Sequence, residues 1–225
     1  MASVPLQRVG GLGRVAMLLV SATAASSVAA VAVTASIADD ARSFLDGDLD
    51  RDDFLTAVTP YALVSFLQAL ALLASAVVVM IWMYRIVRNL RTLHRGTTWG
   101  PGWSIGGWFA PPILAVIPFL TFREMWKASD PEVPIGGTWR DGTVPPVITA
   151  WFIVFGPGQL ALQLLQIGDT VSGLGASETA LAEQMTASAV VPSIAAVVDV
   201  LAAILFVVMA RRLGERHQRL TGETG

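Results

Sequence analysis

Cysteine is absent from this 225-residue chain. That excludes disulfides, thiolate metal sites and a cysteine nucleophile. Histidine is nearly absent: only His94 and His217 occur, far apart in sequence, so a histidine metal site or a Ser–His–Asp triad has little support. Charge is scarce as well. Charged side chains are 14% of the residues, against about 25% in a soluble domain, too few to cover a water-facing surface. Lysine appears once, as Lys127, beside fourteen arginines. What fills the chain is apolar: 54% of residues are hydrophobic and the mean hydropathy is +0.62. This is the composition of an integral membrane protein.

Five apolar runs follow one another. The first, 15–38, carries Ala22, Ser26 and Ala30 at four-residue spacing, a pattern that lets helix backbones approach closely. Ser36-Ile37-Ala38 resembles a signal cleavage site, but the run exceeds the 7–15 residues of a signal core, which favours a retained helix. Gly10, Gly11 and Gly13 follow no strand, so they do not form a phosphate loop. Residues 39–59 are acidic. Asp46, Asp48, Asp50 and Asp52 alternate like the start of a calcium loop, but Arg51 and Ala57 stand where Gly and Glu are needed. A solvated acidic loop is expected there, and no metal site. The second run, 60–84, continues into Arg85, Arg88, Arg91 and Arg95, with a helix stop expected at Gly96.

The third run, 104–122, contains Pro111, Pro112 and Pro118. The first two suit the opening turn of a helix and the last deletes a backbone hydrogen bond inside it. The fourth run, 147–167, is interrupted by Gly156-Pro157-Gly158, which predicts a proline kink. A short loop over 168–187 leads to the last run, 188–210, followed by Arg211 and Arg212.

Charge decides the threading. If all five runs cross with the N-terminus inside, nine cations lie outside and six inside. If 104–122 enters and returns, or lies in the surface, thirteen lie inside and two outside. The positive-inside rule selects the second arrangement. The expected fold is therefore an all-α polytopic membrane bundle, a single domain over 1–225. It has four transmembrane helices plus one proline-broken re-entrant or interfacial segment, and both termini are cytoplasmic. Tags placed after residue 130 and at residue 225 should report the same side.

The stretch Trp82-Met83-Tyr84-Arg85, Asn89, Pro101-x-Trp103-x-x-Gly-Gly-Trp108-Phe109-x-Pro111, Pro118 and Glu124-x-Trp126-Lys127 resembles a membrane-protein family known only as domain of unknown function 4328, common in high-GC Gram-positive bacteria. The resemblance covers about 45 residues and implies a small polytopic protein of the bacterial cell membrane. It implies no activity, active site or cofactor.

Two sets of residues are candidates for function. Arg85, Arg88, Arg91 and Arg95, with Trp103, Trp108 and Trp126, form a basic and aromatic group suited to anionic headgroups or a phosphate-bearing ligand. The alternative reading of the arginines is topology-setting charge. Asp199 sits near the centre of the last run, where a carboxylate costs about 2.5–3.5 kcal/mol on insertion scales. Gln68 and Gln159 reach comparable depth and can hydrogen-bond it. The functional reading is a proton or cation site; the structural one is a polar clasp. The composition favours a non-enzymatic membrane organiser that binds lipid or partner proteins through a cytoplasmic Trp/Arg collar. A small transporter or proton/ion-conducting protein using Asp199 is the alternative. Expected partners are membrane lipids and other proteins or further copies of the chain, with no nucleic acid.

Overall fold

The structure, a computed structural model, describes residues 5–109, 116–134, 137–162, 177–187 and 189–223. Every regular element among them is helical. Helix α1 runs Gly10–Asp46 and α2 runs Arg51–Thr92. A short α3 (Trp103–Gly106) passes into a 3-10 turn, and α4 spans Val116–Ala128. Helix α5 begins at Pro146 and continues through a π-helical turn, Val154–Gly158, to Leu162. Helix α6 is Glu178–Thr186 and α7 is Val190–Thr221.

Helices α1, α2 and α7 are long and apolar enough to cross a membrane. Their 37, 42 and 32 residues rise about 55, 63 and 48 Å, against a hydrocarbon core of about 30 Å. The expected fourth span, 147–167, is described only to Leu162, and its remainder lies outside the described residues. The described part of α4 has 13 residues, a rise of about 20 Å. Pro118 is the third described residue of α4 and contributes no N–H to it. Pro111 and Pro112 lie outside the described residues.

The predicted acidic loop over 39–59 is mostly helix. Only residues 47–50 stand between α1 and α2. Gly47, at φ 84°, ends α1 while its N–H and that of Asp48 return to the Phe44 and Ser43 carbonyls. The Asp50 carboxylate then accepts the Asp53 N–H at 2.9 Å and caps α2, with Asp52 and Asp53 in its first turn. Of the alternating aspartates, Asp50 caps α2 and Asp52 lies in its first turn. Among the described residues no acidic or histidine group is arranged for a metal.

The loop expected over 168–187 is also partly helix. Ser177 Oγ caps α6 by accepting the Ala180 N–H at 3.3 Å. Ala182 and Met185 bury against Ile37, Ala41, Phe54 and Val58. Ile37 belongs to the tripeptide that resembles a cleavage site, and it is buried within an unbroken α1.

Helix α1 is the hub, packing against α2, α6 and α7. Its contact stripe is Gly13, Ala16, Ala24 and Ser27 rather than Ala22, Ser26 and Ala30; Ala22 is exposed and Ser26 and Ala30 only partly covered. A Cβ on Gly13 would stand 3.1 Å from the Trp82 indole nitrogen, so this glycine lets α1 and α2 close together. The largest core lies at one end of the bundle. It joins Trp82, Met83, Ile86 and Leu90 of α2 to Phe122 and Met125 of α4, Ile148 and Trp151 of α5, and Phe206 and Met209 of α7.

Helix α2 stops at Thr92, four residues before Gly96. His94 takes a left-handed conformation, φ 55°. Its N–H reaches the Arg91 carbonyl at 3.1 Å, and the Arg95 N–H reaches Leu90 at 2.8 Å. This is a Schellman ending with histidine where glycine is the usual residue. His94→Gly should therefore stabilise the protein by about 1 kcal/mol, because a Cβ is strained at that φ. The check is a higher midpoint of unfolding in mild detergent.

Candidate functional site

The end of the bundle that holds the large core also gathers most of the charge. Asn89, 1% exposed, pairs with the backbone of Gln7: the Gln7 N–H donates to Asn89 Oδ1 and Asn89 Nδ2 donates to the Gln7 carbonyl, both at 2.8 Å. That pairing fixes the amide orientation. Asn89 Nδ2 therefore also donates to His217 Nε2 at 3.2 Å. His217 Nδ1 carries the ring proton and donates to Ser129 Oγ at 3.0 Å. His217 lies past Arg211 and Arg212, beyond the apolar part of α7, and is fully buried. Burial pushes its pKa down to about 4, with Glu223 opposing. A proton on Nε2 would also set two donors face to face.

Two further contacts close this end. The Glu223 carboxylate accepts the N–H groups of Val9 and Gly10 at 3.0 Å, a negative charge on the N-terminus of α1. Arg216 pairs with Asp130 at 2.6 Å, donates to the Trp126 carbonyl at 3.2 Å, and lies 4.9 Å from the Trp126 ring centre. Residues 7–10, 89, 126–130 and 216–223 therefore occupy one end of the bundle. Arg42 and Arg51 are at the other, by the α1–α2 corner.

The predicted Trp/Arg group is divided among several tasks. Arg88 and Arg91 are exposed, with no acidic partner among the described residues. Arg85 is half-buried and donates to the Arg8 carbonyl at 3.1 Å. Arg95 is not on that surface, a correction to its place in the headgroup set. It is 4% exposed and donates to the carbonyls of Ala128 (3.0 Å), Asp130 and Val133, holding the C-terminus of α4. The left-handed turn at His94 is what swings it inward. Trp103 is 46% exposed, edge-on to Trp99 at 5.5 Å. Trp108 packs edge-on against Phe155 at 6.0 Å, and Trp126 lies under Arg216. Of the three named tryptophans, only Trp103 is an exposed aromatic.

Within the apolar portions of the helices, four polar side chains from four helices meet. Ser27 Oγ of α1 donates to Asp199 Oδ2 of α7 at 2.6 Å. Gln68 Nε2 of α2 donates to Ser27 Oγ at 2.9 Å. Gln159 Nε2 of α5 donates to Asp199 Oδ1. Gln159 thus touches Asp199 directly, whereas Gln68 reaches it through Ser27. The Gly156-Pro157-Gly158 interruption is a π turn instead of a simple kink. Pro157 offers no N–H, and the wide turn absorbs that loss. One inserted residue turns the helix by about 100°, and Gln159 is the first residue after it.

Ser27 was legible only as one of several small residues on α1. Its spacing from Gly13, Ala16 and Ala24 is the signal that places it on the contact face. Asn89 appears in the quoted Trp/Pro pattern without a role. His217 and Glu223 carry no sequence signal, because their partners are 128 and 214 residues away.

A family model described as Domain of unknown function (DUF4328) matches residues 46–215. The chain belongs to this family. The matched stretch takes in α2 to α6 and most of α7, hence Asn89, Asp199 and all the exposed arginines named above; Ser27 lies before it. No curated protein matches the chain, and neither does any solved structure.

Proposed function

We propose that this member of the family is a non-enzymatic membrane organiser that holds anionic lipid at its arginine-rich end. The observation that carries the reading is the exposure of Arg88 and Arg91, without acidic partners among the described residues, on the helix that leads to the exposed Trp103. Arg14 and Arg212 are exposed at the same end. Each such cation contributes about 1 kcal/mol near an anionic surface, and an indole ring favours the headgroup level. The gathering of arginines at one end supports a cytoplasmic placement for that end and for both termini.

The test is retention of phosphatidylglycerol by the full chain purified in mild detergent from mixed-lipid membranes. Arg88→Gln with Arg91→Gln should reduce it roughly tenfold at low salt, since two cations contribute about 2 kcal/mol before screening. Unchanged retention with an unchanged helical circular dichroism spectrum would overturn the reading. A second reading, a small transporter or proton/ion-conducting protein, is favoured by the Asp199 network, which unites four helices on one carboxyl group.

A further inference from the structure

We propose that Asp199 is a reversible proton-binding site whose two protonation states are both accommodated by rotation of the Ser27 hydroxyl. This goes beyond lipid binding and does not depend on it. Ser27 Oγ stands within hydrogen-bond reach of two acceptors, Asp199 Oδ2 at 2.6 Å and the Thr23 carbonyl at 3.3 Å. A hydroxyl has one proton and two acceptor positions, so the two bonds are alternatives, one for each charge state of the carboxyl group.

With Asp199 ionised, the Ser27 O–H donates to Oδ2 and Gln159 donates to Oδ1, while Ser27 accepts from Gln68. Both carboxylate oxygens are then satisfied. With Asp199 protonated on Oδ2, the acid donates to Ser27 Oγ. The Ser27 proton turns to the Thr23 carbonyl, and Ser27 accepts from both Asp199 and Gln68. Every group keeps a partner and no side chain has to move. The Thr23 carbonyl is the i−4 acceptor open to any helical serine; the Asp199 carboxyl group is the alternative particular to Ser27.

The surroundings favour a proton over a metal cation. Both oxygens of Asp199 already accept N–H or O–H donors, and a cation would have to displace them. The helices packed around Asp199 bring no second charge near it. Helix α1 has no ionisable residue between Arg14 and Asp39, α2 has only Tyr61 and Tyr84 between Asp53 and Arg85, and α5 has none over 146–162. In the apolar part of α7, Asp199 is alone.

The test is infrared spectroscopy of the full chain, labelled with carbon-13 in aspartate and reconstituted in liposomes, as the pH is varied. The expected result is a protonated-carboxyl C=O band that grows on acidification, fades on alkalinisation, and is missing from Asp199→Asn. In Ser27→Ala the band should shift in frequency, because the acid has lost its acceptor. That variant keeps the test open if Asp199→Asn does not fold. A band from Asp199 that never changes with pH would overturn the proposal, as would no such band at any pH. A titration that moves with sodium concentration would replace the proton by a cation and overturn it too.

Discussion

Phe122→Ala should destabilise the protein by about 3–5 kcal/mol, the range for removing a fully buried aromatic ring. Phe122 is 0% exposed and projects from α4 into the meeting point of three other helices. Its ring lies 5.2 Å from Trp151 of α5 at 76°, 6.4 Å from Trp82 of α2 and 6.5 Å from Phe206 of α7 at 82°. Edge-to-face pairs of this kind add about 0.5–1.5 kcal/mol each beyond their area. This ring is one of several contacts that fix α4, beside Met125 in the same core, the Phe119–Phe152 stack and the Arg95 and Arg216 bonds to its C-terminal carbonyls. The measurement is the unfolding free energy in mild detergent on titration with a denaturing surfactant. Phe122→Leu, which refills most of the volume, should lose much less. A loss below about 1 kcal/mol for the alanine variant would mean that the four helices do not share this core.

The protein should also lose about 3 kcal/mol of stability between pH 6.5 and pH 4 through His217 alone, on the scale of 1.36 kcal/mol per pKa unit. Burial pushes the folded pKa down to about 4, whereas the unfolded chain has the ordinary value of about 6.5. Over that window the unfolded state binds a proton that the folded state refuses. Stability is therefore full above pH 6.5, falls as the pH falls, and levels off below about 4. Unfolding midpoints at pH 7.5, 6 and 5 would trace the loss. His217→Gln cannot take up the proton, so its midpoint should be flatter over the same range.

The membrane character, the helical class and the uneven distribution of arginine were open to reading because each depends on composition or local order. The two predicted loops failed for a local reason. Polar residues at 39–59 and 177–187 do not preclude helix when they supply caps and when a few apolar side chains, Ile37, Phe54 and Met185 among them, find a common core. The division of the Trp/Arg group had a different cause. Nothing within residues 85–95 says that His94 turns left-handed, and that single dihedral decides whether Arg95 faces a headgroup or a helix end. The Asp199 network was partly visible from depth alone; the α1 residue that connects it required knowing which face of α1 is inward.

The cap that Glu223 places on α1 fixes an order of events during synthesis. The first long helix is made before the partner of its Val9 and Gly10 N–H groups, which follows 214 and 213 residues later. His217 likewise arrives 128 residues after Asn89. At the 5–20 residues per second typical of translation, the α1 terminus waits on the order of ten seconds or more for Glu223, while Asn89, which can already pair with the Gln7 backbone, waits for His217. Helices α1 and α2 can pack on one another before α7 is made, but this end of the bundle locks only when the last turn of α7 has left the ribosome.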